Sequence, residues 1–319
     1  MLPWLVFLIV SAAECVMLAL FPALNLLVAI FWGATLILAG IYLHRQQLII
    51  VYLADIVVLY SFMGILSLMV FMLFFGIAGL FMSYLTNLGK NYYFIQSSGV
   101  IVAVLCVSLF LFNFYFGTEQ AGSAEQEAEL NTYMQEAIDN FSQSDLYQTY
   151  KEQGITMEEI ENGFNEAAVI IFKHLPAIFY LQAIMAVFFM LFFAQLASQT
   201  CSIKRLRKKA YIQEIMPWQI VWVFIAGIGL WLWGSKEASA VYYLGSNILA
   251  VISPIAIYYG LSVALYIFNK TPIKKSIWLI ILIVFIVIIF TLPIIIMLGL
   301  IGLFDALIDY RKIRLQEEG

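Results

Sequence analysis

Runs of about twenty apolar residues, the length a helix needs to cross ~30 Å of hydrocarbon, recur along almost the whole chain. Because the bilayer interior offers no water, a crossing segment must satisfy its backbone hydrogen bonds as a helix or in a closed barrel. Barrel strands alternate apolar and polar residues, whereas these runs are continuously apolar. The composition, 64% hydrophobic and 11% charged, is also far from that of a soluble domain. The sequence therefore predicts an all-α fold, a polytopic transmembrane helical bundle.

Charged residues are segregated along the chain. Twelve acidic residues and a single base, Lys151, lie between Glu119 and Glu166. Basic residues concentrate in short segments, above all from Lys204 to Lys209. Short loops rich in Lys and Arg stay on the cytoplasmic side, whereas acidic residues have little effect on orientation. We therefore expect a multi-pass protein of the cytoplasmic membrane, with the acidic region outside and both termini in the cytoplasm.

Two apolar runs are too long for a single crossing. Residues 48–88 would form one helix of about 60 Å, and basic residues at both ends favour a hairpin that turns near Tyr60 to Gly64. Residues 276–309 pose the same problem, and Pro293 is a natural place for their turn. One long, tilted helix is the alternative there. With both hairpins the sequence predicts about ten spans.

The acidic region divides the chain into three predicted parts. These are N-terminal membrane spans at 1–117, a small extracytoplasmic helical insertion at 118–172, and C-terminal membrane spans at 173–319. Apolar residues at helical spacing predict a first helix in the insertion: Leu130, Tyr133, Met134, Ala137 and Phe141. Thr156 and Glu159 have the spacing of a capping box, which predicts the start of a second helix. The insertion is either a solvated connector or a lid or docking surface over a cavity.

Two carboxylates lie inside predicted spans: Glu14 in the first and Asp55 in the third. Ionisable groups at membrane depth are costly and mark functional sites by default. If the two side chains met across the bundle, they would share a proton, because like charges at close range disfavour double ionisation. The alternative for each is a protonated or hydrogen-bonded carboxyl that faces the bundle without a ligand. We treat both as candidate substrate- or proton-binding residues.

Uncharged polar groups in other spans are further candidates for lining a substrate-binding cavity: Asn25, Gln182, Asn247 and Tyr243. For the three amides the alternative, which is also the simpler explanation, is hydrogen bonding between helices. Tyr243 belongs to an aromatic group with Tyr242, Trp231 and Trp233. Such a group is typical of anchoring at a membrane interface, and an aromatic platform over a ligand is the alternative.

The closing stretch GLFDALIDYRKIR places two aspartates before three basic residues. A helix continued through this stretch would align Gly302, Asp305, Asp309 and Lys312 along one face. Asp305 would then lie at the inner edge of the membrane rather than at its centre. The pattern therefore favours the cytoplasmic foot of the last helix over an ion site.

Nothing in the sequence predicts an enzyme. The two histidines and three cysteines lack metal-ligand spacing, and no catalytic or nucleotide-binding motif is present. We therefore expect no catalytic residue, no cofactor, no metal and no nucleic-acid partner. The expected partners are the lipid bilayer, a small-molecule ligand below the acidic insertion, and a membrane or cytoplasmic protein that docks on the basic run.

Several stretches in fixed order resemble the YybS-like family of bacterial membrane proteins, a domain of unknown function. They are FMSYLTNLGK, YKEQGITMEEIE with KHLPAIFYLQAIMA, SNILAVISPIAIYYGLSVALYIFNK and LPIIIMLGLIGLFDALIDYRKIR. The family is distantly similar to the substrate-binding subunits of energy-coupling-factor transporters. The resemblance implies a helical bundle in a bacterial cytoplasmic membrane with a small-molecule cavity near its outer face. We therefore expect small-molecule binding or transport; the alternative is a scaffold or regulatory protein that binds partners through the basic loop or the acidic insertion.

Overall fold

A computed structural model of the chain describes most of its apolar segments. The described residues are 3–116, 156–200, 206–234, 240–271 and 285–313, together with residue 278 and scattered positions between 132 and 154. Every regular element in these ranges is a helix, and seven are long and apolar enough to cross a membrane. This confirms the predicted all-α polytopic bundle. The chain forms two compact units, Met1–Arg207 and Lys208–Gly319, while the three predicted parts and the cytoplasmic location of the termini stay predictions.

The first unit begins with two helices joined by a tight turn. Helix α1 covers Pro3–Leu20, a short 3₁₀ turn covers Pro22–Leu24, and helix α2 covers Asn25–Tyr42. Proline at the start of the turn lacks the backbone N–H that a continued helix would need. The FPALN sequence around Pro22 and Asn25 predicts this break in the apolar run of residues 2–43, and the structure confirms it. Because the connection is so short, α1 and α2 run as antiparallel neighbours.

The third apolar run folds back on itself. Helix α3 is continuous in hydrogen bonding over Arg45–Phe71 except at Gly64, whose φ of 74° and ψ of 176° are not helical. In a straight helix Tyr52 and Met72 would be about 30 Å apart, yet the Tyr52 hydroxyl lies 3.3 Å from the Met72 sulfur. A positive φ is easy only for glycine, so Gly64 makes the reversal. The predicted hairpin near Tyr60 to Gly64 is confirmed.

The returning arm of this hairpin contains a widened turn. A π-helical segment covers Met72–Gly76, and helix α4 covers Ile77–Asn87. Single π turns are rare and occur frequently at functional sites. Helix α5 follows at Tyr92–Phe116.

The last helix of the first unit, α6, covers Met157–Thr200 and is about 66 Å long. The predicted capping box is present: the Thr156 backbone N–H donates to Glu159 Oε2 (2.9 Å), and the Glu159 N–H donates to Thr156 Oγ1 (3.3 Å). The Phe141 ring packs 5.8 Å from the Phe164 ring of α6. Most of the predicted first insertion helix, including Leu130, Tyr133, Met134 and Ala137, lies outside the described residues.

Helix α2 is at the centre of the first unit. Trp32, Leu36 and Ile37 are fully buried in a cluster that also contains Met82 of α4 and Met190 of α6. The Ser83 hydroxyl of α4 donates a hydrogen bond to the Leu36 carbonyl. Since lipid gives no hydrophobic drive for helix association, such close packing and interhelical hydrogen bonds hold the bundle together.

The second unit packs three helices: α7 (Trp218–Trp233), α8 (Ala240–Lys270) and α9 (Thr291–Ile308). A 3₁₀ turn at Tyr211–Gln213 precedes them. The final apolar run is interrupted at Phe290, whose φ is −107° and ψ is 37°, close to the predicted break at Pro293. The hairpin itself stays a prediction, because most of residues 272–284 lie outside the described part.

Candidate intramembrane carboxylate site

Asp55 is fully buried between three helices of the first unit. Its Oδ1 accepts a hydrogen bond of 2.9 Å from the Ser11 hydroxyl of α1, and its Oδ2 accepts one of 2.9 Å from the Trp32 indole Nε1 of α2. Ser11, Trp32 and Asp55 are each 0% exposed. Both donors are neutral, so the carboxylate has hydrogen-bond partners but receives no positive charge from them.

Glu14 lies one helical turn after Ser11 and belongs to the same cluster. Its Oε1 accepts a hydrogen bond of 3.0 Å from the Thr35 hydroxyl, one turn after Trp32 on α2. Its Oε2 is buried and has no hydrogen-bond partner among the described residues. Glu14 is close enough to Asp55 for the two carboxyl groups to interact electrostatically. The fold places the two carboxyl groups in one region of the bundle, although each is hydrogen-bonded to different neighbours.

The cluster lies near the middle of its helices. Glu14, Thr35 and Asp55 are each about 15–17 Å along the axis from the first residue of α1, α2 and α3, half the thickness of the hydrocarbon core. The Cys15 thiol contacts the Asp55 carboxylate, and the Tyr52 hydroxyl lies against Met72. Within the described ranges, no Lys, Arg or His forms an ion pair with either carboxylate.

The other predicted site residues do not join this cluster. Asn25 is the first residue of α2, and its Oδ1 is buried without a hydrogen-bond partner in the described chain. Gln182 is half-buried on α6. In the second unit, the Asn247 side chain donates a bond of 2.7 Å to the Tyr243 carbonyl one turn earlier on α8. The Tyr243 ring lies edge-on to Tyr242, with centroids 5.3 Å apart, and its role in anchoring or binding stays a prediction.

Sequence reasoning missed Trp32, Ser11 and Thr35 as members of the site. A tryptophan in an apolar span resembles ordinary lipid-facing or core packing, and single hydroxyl residues are common in spans. One signal was available: a buried indole N–H usually finds an acceptor, and Asp55 is one of few acceptors in the neighbouring spans.

The second unit contains a separate polar network, centred on Arg311, which is 4% exposed. The guanidinium donates to Asp305 Oδ2 through Nη2 (2.7 Å) and Nε (3.2 Å). It also donates to the carbonyls of Ile212 and Glu214, each at 2.6 Å, and to the Ser262 hydroxyl at 2.9 Å. Arg311 thus joins the segment before α7 to α8 and to the end of α9.

This network corrects the prediction for the closing stretch. Helix α9 ends at Ile308, and Asp309 and Lys312 have positive φ values of 49° and 55°. The single helical stripe through Asp309 and Lys312 is therefore wrong. The chain turns sharply, and Arg311 lies back against Asp305 instead of about 9 Å further along an axis. Left-handed residues other than glycine are uncommon, and the single aspartate at position 309 is too weak a turn signal to predict this one.

A second ion pair lies beside the Arg311 network. Lys208 Nζ is 2.8 Å from Glu214 Oε1, and the Tyr258 hydroxyl donates to Glu214 Oε2 at 2.6 Å. The Tyr211 ring packs 4.9 Å from Tyr258. Burial, reinforced by the Glu214 carboxylate and opposed by Arg311, raises the pKa of Tyr211 to about 12. These contacts fix the segment that follows the basic run.

Neither cluster resembles a metal centre or a large ligand cavity. Within the described ranges, no three His, Cys, Asp or Glu side chains are grouped closely enough to hold a metal ion. An open apolar groove of about 410 Å³ lies at the start of α1 and does not include the carboxylates. Its lining residues are Pro3, Val6, Phe7, Leu38, Tyr42 and Ala197.

The fold and the buried carboxylates together define a polytopic α-helical integral membrane protein with ionisable groups inside its membrane-spanning bundle. Residues 9–306 match the family model described as "Predicted membrane protein (DUF2232)". Because the match covers nearly the whole chain, the protein belongs to this family, whose function is unknown. No curated protein and no solved structure matches the chain.

Proposed function

We propose that the protein binds, and in the simplest case transports, a small positively charged species through the Glu14–Asp55 site. The species is a proton, an alkali-metal cation or the cationic group of a small solute. The observation that carries the proposal is a pair of carboxyl groups near mid-span whose hydrogen-bond donors are all neutral. The family that the sequence resembles is distantly similar to the substrate-binding subunits of energy-coupling-factor transporters, which agrees with small-molecule binding in general.

Electrostatics supports a cationic ligand over a neutral or anionic one. A carboxylate transferred from water into an apolar interior is strongly unfavourable unless a counter-charge accompanies it. In the described chain no basic side chain supplies that counter-charge to Glu14 or Asp55. Two carboxylates together are costlier still, because they repel each other. A bound proton or cation neutralises one of them and removes that repulsion.

The two carboxyl groups are suited to different roles. Asp55 receives one hydrogen bond on each oxygen and is 0% exposed, so its carboxyl group is held in a fixed position. Glu14 receives one hydrogen bond, is half-buried and has the buried, unpartnered Oε2. We assign Glu14 as the group that the incoming cation meets first, with Asp55 as the positioned carboxyl group beside it whose charge changes as the proton or cation binds.

The test is a thermal-shift screen of purified protein against sodium, potassium and lithium salts, small amines, vitamins, nucleobases and amino acids. Glu14→Gln is the test variant. Glu166→Gln is the matched control, because Glu166 is an exposed glutamate near the start of α6. Stabilisation of the wild type and the control, but not of Glu14→Gln, by a cationic compound or by low pH supports the proposal. Equal responses of all three proteins to every condition contradict it.

A scaffold or regulatory function is the second candidate, and two observations favour it. The apolar groove does not include the carboxylates. In addition, Val169, Ile170 and Ile171 in the N-terminal half of α6 are 50%, 59% and 55% exposed, as expected of a surface that contacts another protein or lipid. The second function is supported if the protein captures a specific membrane partner through Val169, Ile170 and Ile171 and shows no cation-dependent change.

A further inference from the structure

We propose that Trp32 is a positioning residue that couples the charge on Asp55 to the π-helical segment Met72–Gly76. The inference rests on the proposed function, in which the charge on the carboxylate pair changes as a cation binds. It adds the part of the protein that responds to that change. Neither the indole nor the π-helical segment touches Glu14 in any contact described above.

The Trp32 side chain makes two kinds of contact. Its indole N–H reaches the Asp55 carboxylate, and its ring packs against Phe71 in the returning arm of the α3 hairpin. Its Nε1–H donates a hydrogen bond of 2.9 Å to Asp55 Oδ2. Its ring centroid lies 5.2 Å from Phe71, edge to face, and 6.1 Å from Tyr52. Because Trp32 is 0% exposed, its indole cannot rotate away from the carboxylate without displacing these rings.

The segment on the far side of Trp32 is poised for a discrete rearrangement. Phe71 immediately precedes the π-helical turn, and the Met72 sulfur contacts the Tyr52 hydroxyl at 3.3 Å. A Cβ on residue 76 would overlap the Met72 sulfur. The observed position of the Met72 side chain therefore requires glycine at residue 76. Conversion of the turn to α-helix removes one residue from it and rotates the preceding side chains by about 100°. Phe71 and Met72 would then leave Trp32 and Tyr52.

The coupling follows from how a carboxylate accepts hydrogen bonds. When Asp55 is charged, both oxygens are strong acceptors, and Oδ2 holds the indole N–H. When a proton binds Oδ2, the resulting O–H is a poor acceptor, so the bond to Nε1 weakens while the indole keeps its own proton. Trp32 is then free to shift, and the packing that supports the π turn loosens.

The groups that could modify this response are few. The titratable side chains that face Asp55 are Glu14 and Cys15 from α1 and Tyr52 from its own helix. From α2 come only Trp32 and Thr35, which do not titrate, and Met72–Gly76 consists of MLFFG. A pH response in the π segment therefore originates in the carboxylate cluster.

The experiment is amide hydrogen exchange over residues 72–76, compared at two pH values and corrected for the intrinsic pH dependence of exchange. Trp32→Phe keeps an aromatic ring but removes the N–H. Trp218→Phe is the control, because Trp218 is 50% exposed in the other unit. We expect the wild type and the control to change protection by about tenfold between the two states, the effect of a charged hydrogen bond, and Trp32→Phe to show no change.

A pH-dependent change of equal size in Trp32→Phe would overturn the inference, since Trp32 would then be only a packing residue. If Trp32→Phe does not fold, Phe71→Leu provides the same test, because it removes the ring contact but leaves the bond to Asp55 intact. Persistence of the wild-type response in Phe71→Leu has the same meaning. Failure of the proposed function is distinguishable, because the carboxyl groups would then show no change of protonation in any variant.

Discussion

The indole N–H of Trp32 lies 2.9 Å from Oδ2 of Asp55, and both residues are fully buried inside a membrane-spanning bundle. The bond joins α2 to α3, and the Ser11 hydroxyl joins α1 to the same carboxylate. Asp55 therefore serves two purposes: it ties three helices together, and it places a carboxylate where no base among the described residues neutralises it.

Truncation of Asp55 tests the first of these purposes, the connection of the three helices. Asp55→Ala leaves the Trp32 indole N–H buried without its carboxylate acceptor and the Ser11 hydroxyl with only the Leu8 carbonyl, 3.4 Å away, at a cost of about 1–2 kcal/mol in the free energy of unfolding. Asp55→Asn retains an acceptor oxygen and should cost less. The control is Asp139→Asn, at an exposed position. Unfolding in detergent micelles measures all three; an Asp55→Ala protein as stable as the wild type would show that the three-helix connection is unimportant.

Removal of the Arg311 side chain should be more damaging. Arg311→Met leaves the carboxylate of Asp305, which is 2% exposed, without its ion pair, and loss of one partner of a buried pair costs about 3–5 kcal/mol. The double variant Arg311→Met/Asp305→Leu should recover much of this loss, because it removes the stranded charge as well. Lys312→Gln, at the exposed neighbouring position, is the control. If Arg311→Met and Lys312→Gln have the same free energy of unfolding, the buried network does not stabilise the protein.

Two glycines should respond in opposite directions to the same substitution. Gly64→Ala forces a side chain into a positive φ of 74° and should destabilise the protein by about 1–2 kcal/mol. Gly163→Ala lies in the exposed helical interior of α6, where an added Cβ meets nothing within 4 Å, and should stabilise it by about 0.5–1 kcal/mol. Denaturant midpoints compare the pair. Equal effects at both positions would contradict the reversal at Gly64.

The raised pKa of Tyr211 predicts a specific alkaline response. In the folded protein the Tyr211 phenol keeps its proton up to about pH 12, whereas the ordinary pKa of a tyrosine is 10.0. Between these values the unfolded chain binds fewer protons, so the free energy of unfolding falls as pH rises. Tyr211→Phe should reduce this slope and the amplitude of the tyrosinate absorbance change near pH 12. Tyr310→Phe, which removes an exposed tyrosine, should leave that late change in place.

Much of the fold was predictable because membrane helices follow local rules. The break at Pro22, the hairpin at Gly64 and the capping box at Thr156 each depend on span length or on nearby residues. The end of α9 was not predictable in this way. Asp309 is neither glycine nor asparagine, yet it adopts a left-handed conformation, and the interaction that compensates is the buried Arg311–Asp305 pair.

The candidate site was predictable only in part. Membrane depth alone singled out Glu14 and Asp55, because a carboxylate in an apolar run is conspicuous. That they share one cluster depends on how α1, α2 and α3 pack, which no single-sequence pattern encodes. Trp32 was missed for the same reason: its function comes from a hydrogen bond to a residue 23 positions away.

The central claim is that the Glu14–Asp55 pair binds a proton or a cation in its place. Infrared difference spectroscopy of the reconstituted protein, recorded across a pH series with and without sodium, measures carboxyl protonation directly. The account predicts a protonated-carboxyl band in the wild type that responds to pH or sodium, disappears in Glu14→Gln and is altered in Asp55→Asn. Spectra that are identical in the wild type and both variants at every pH and salt concentration would contradict it.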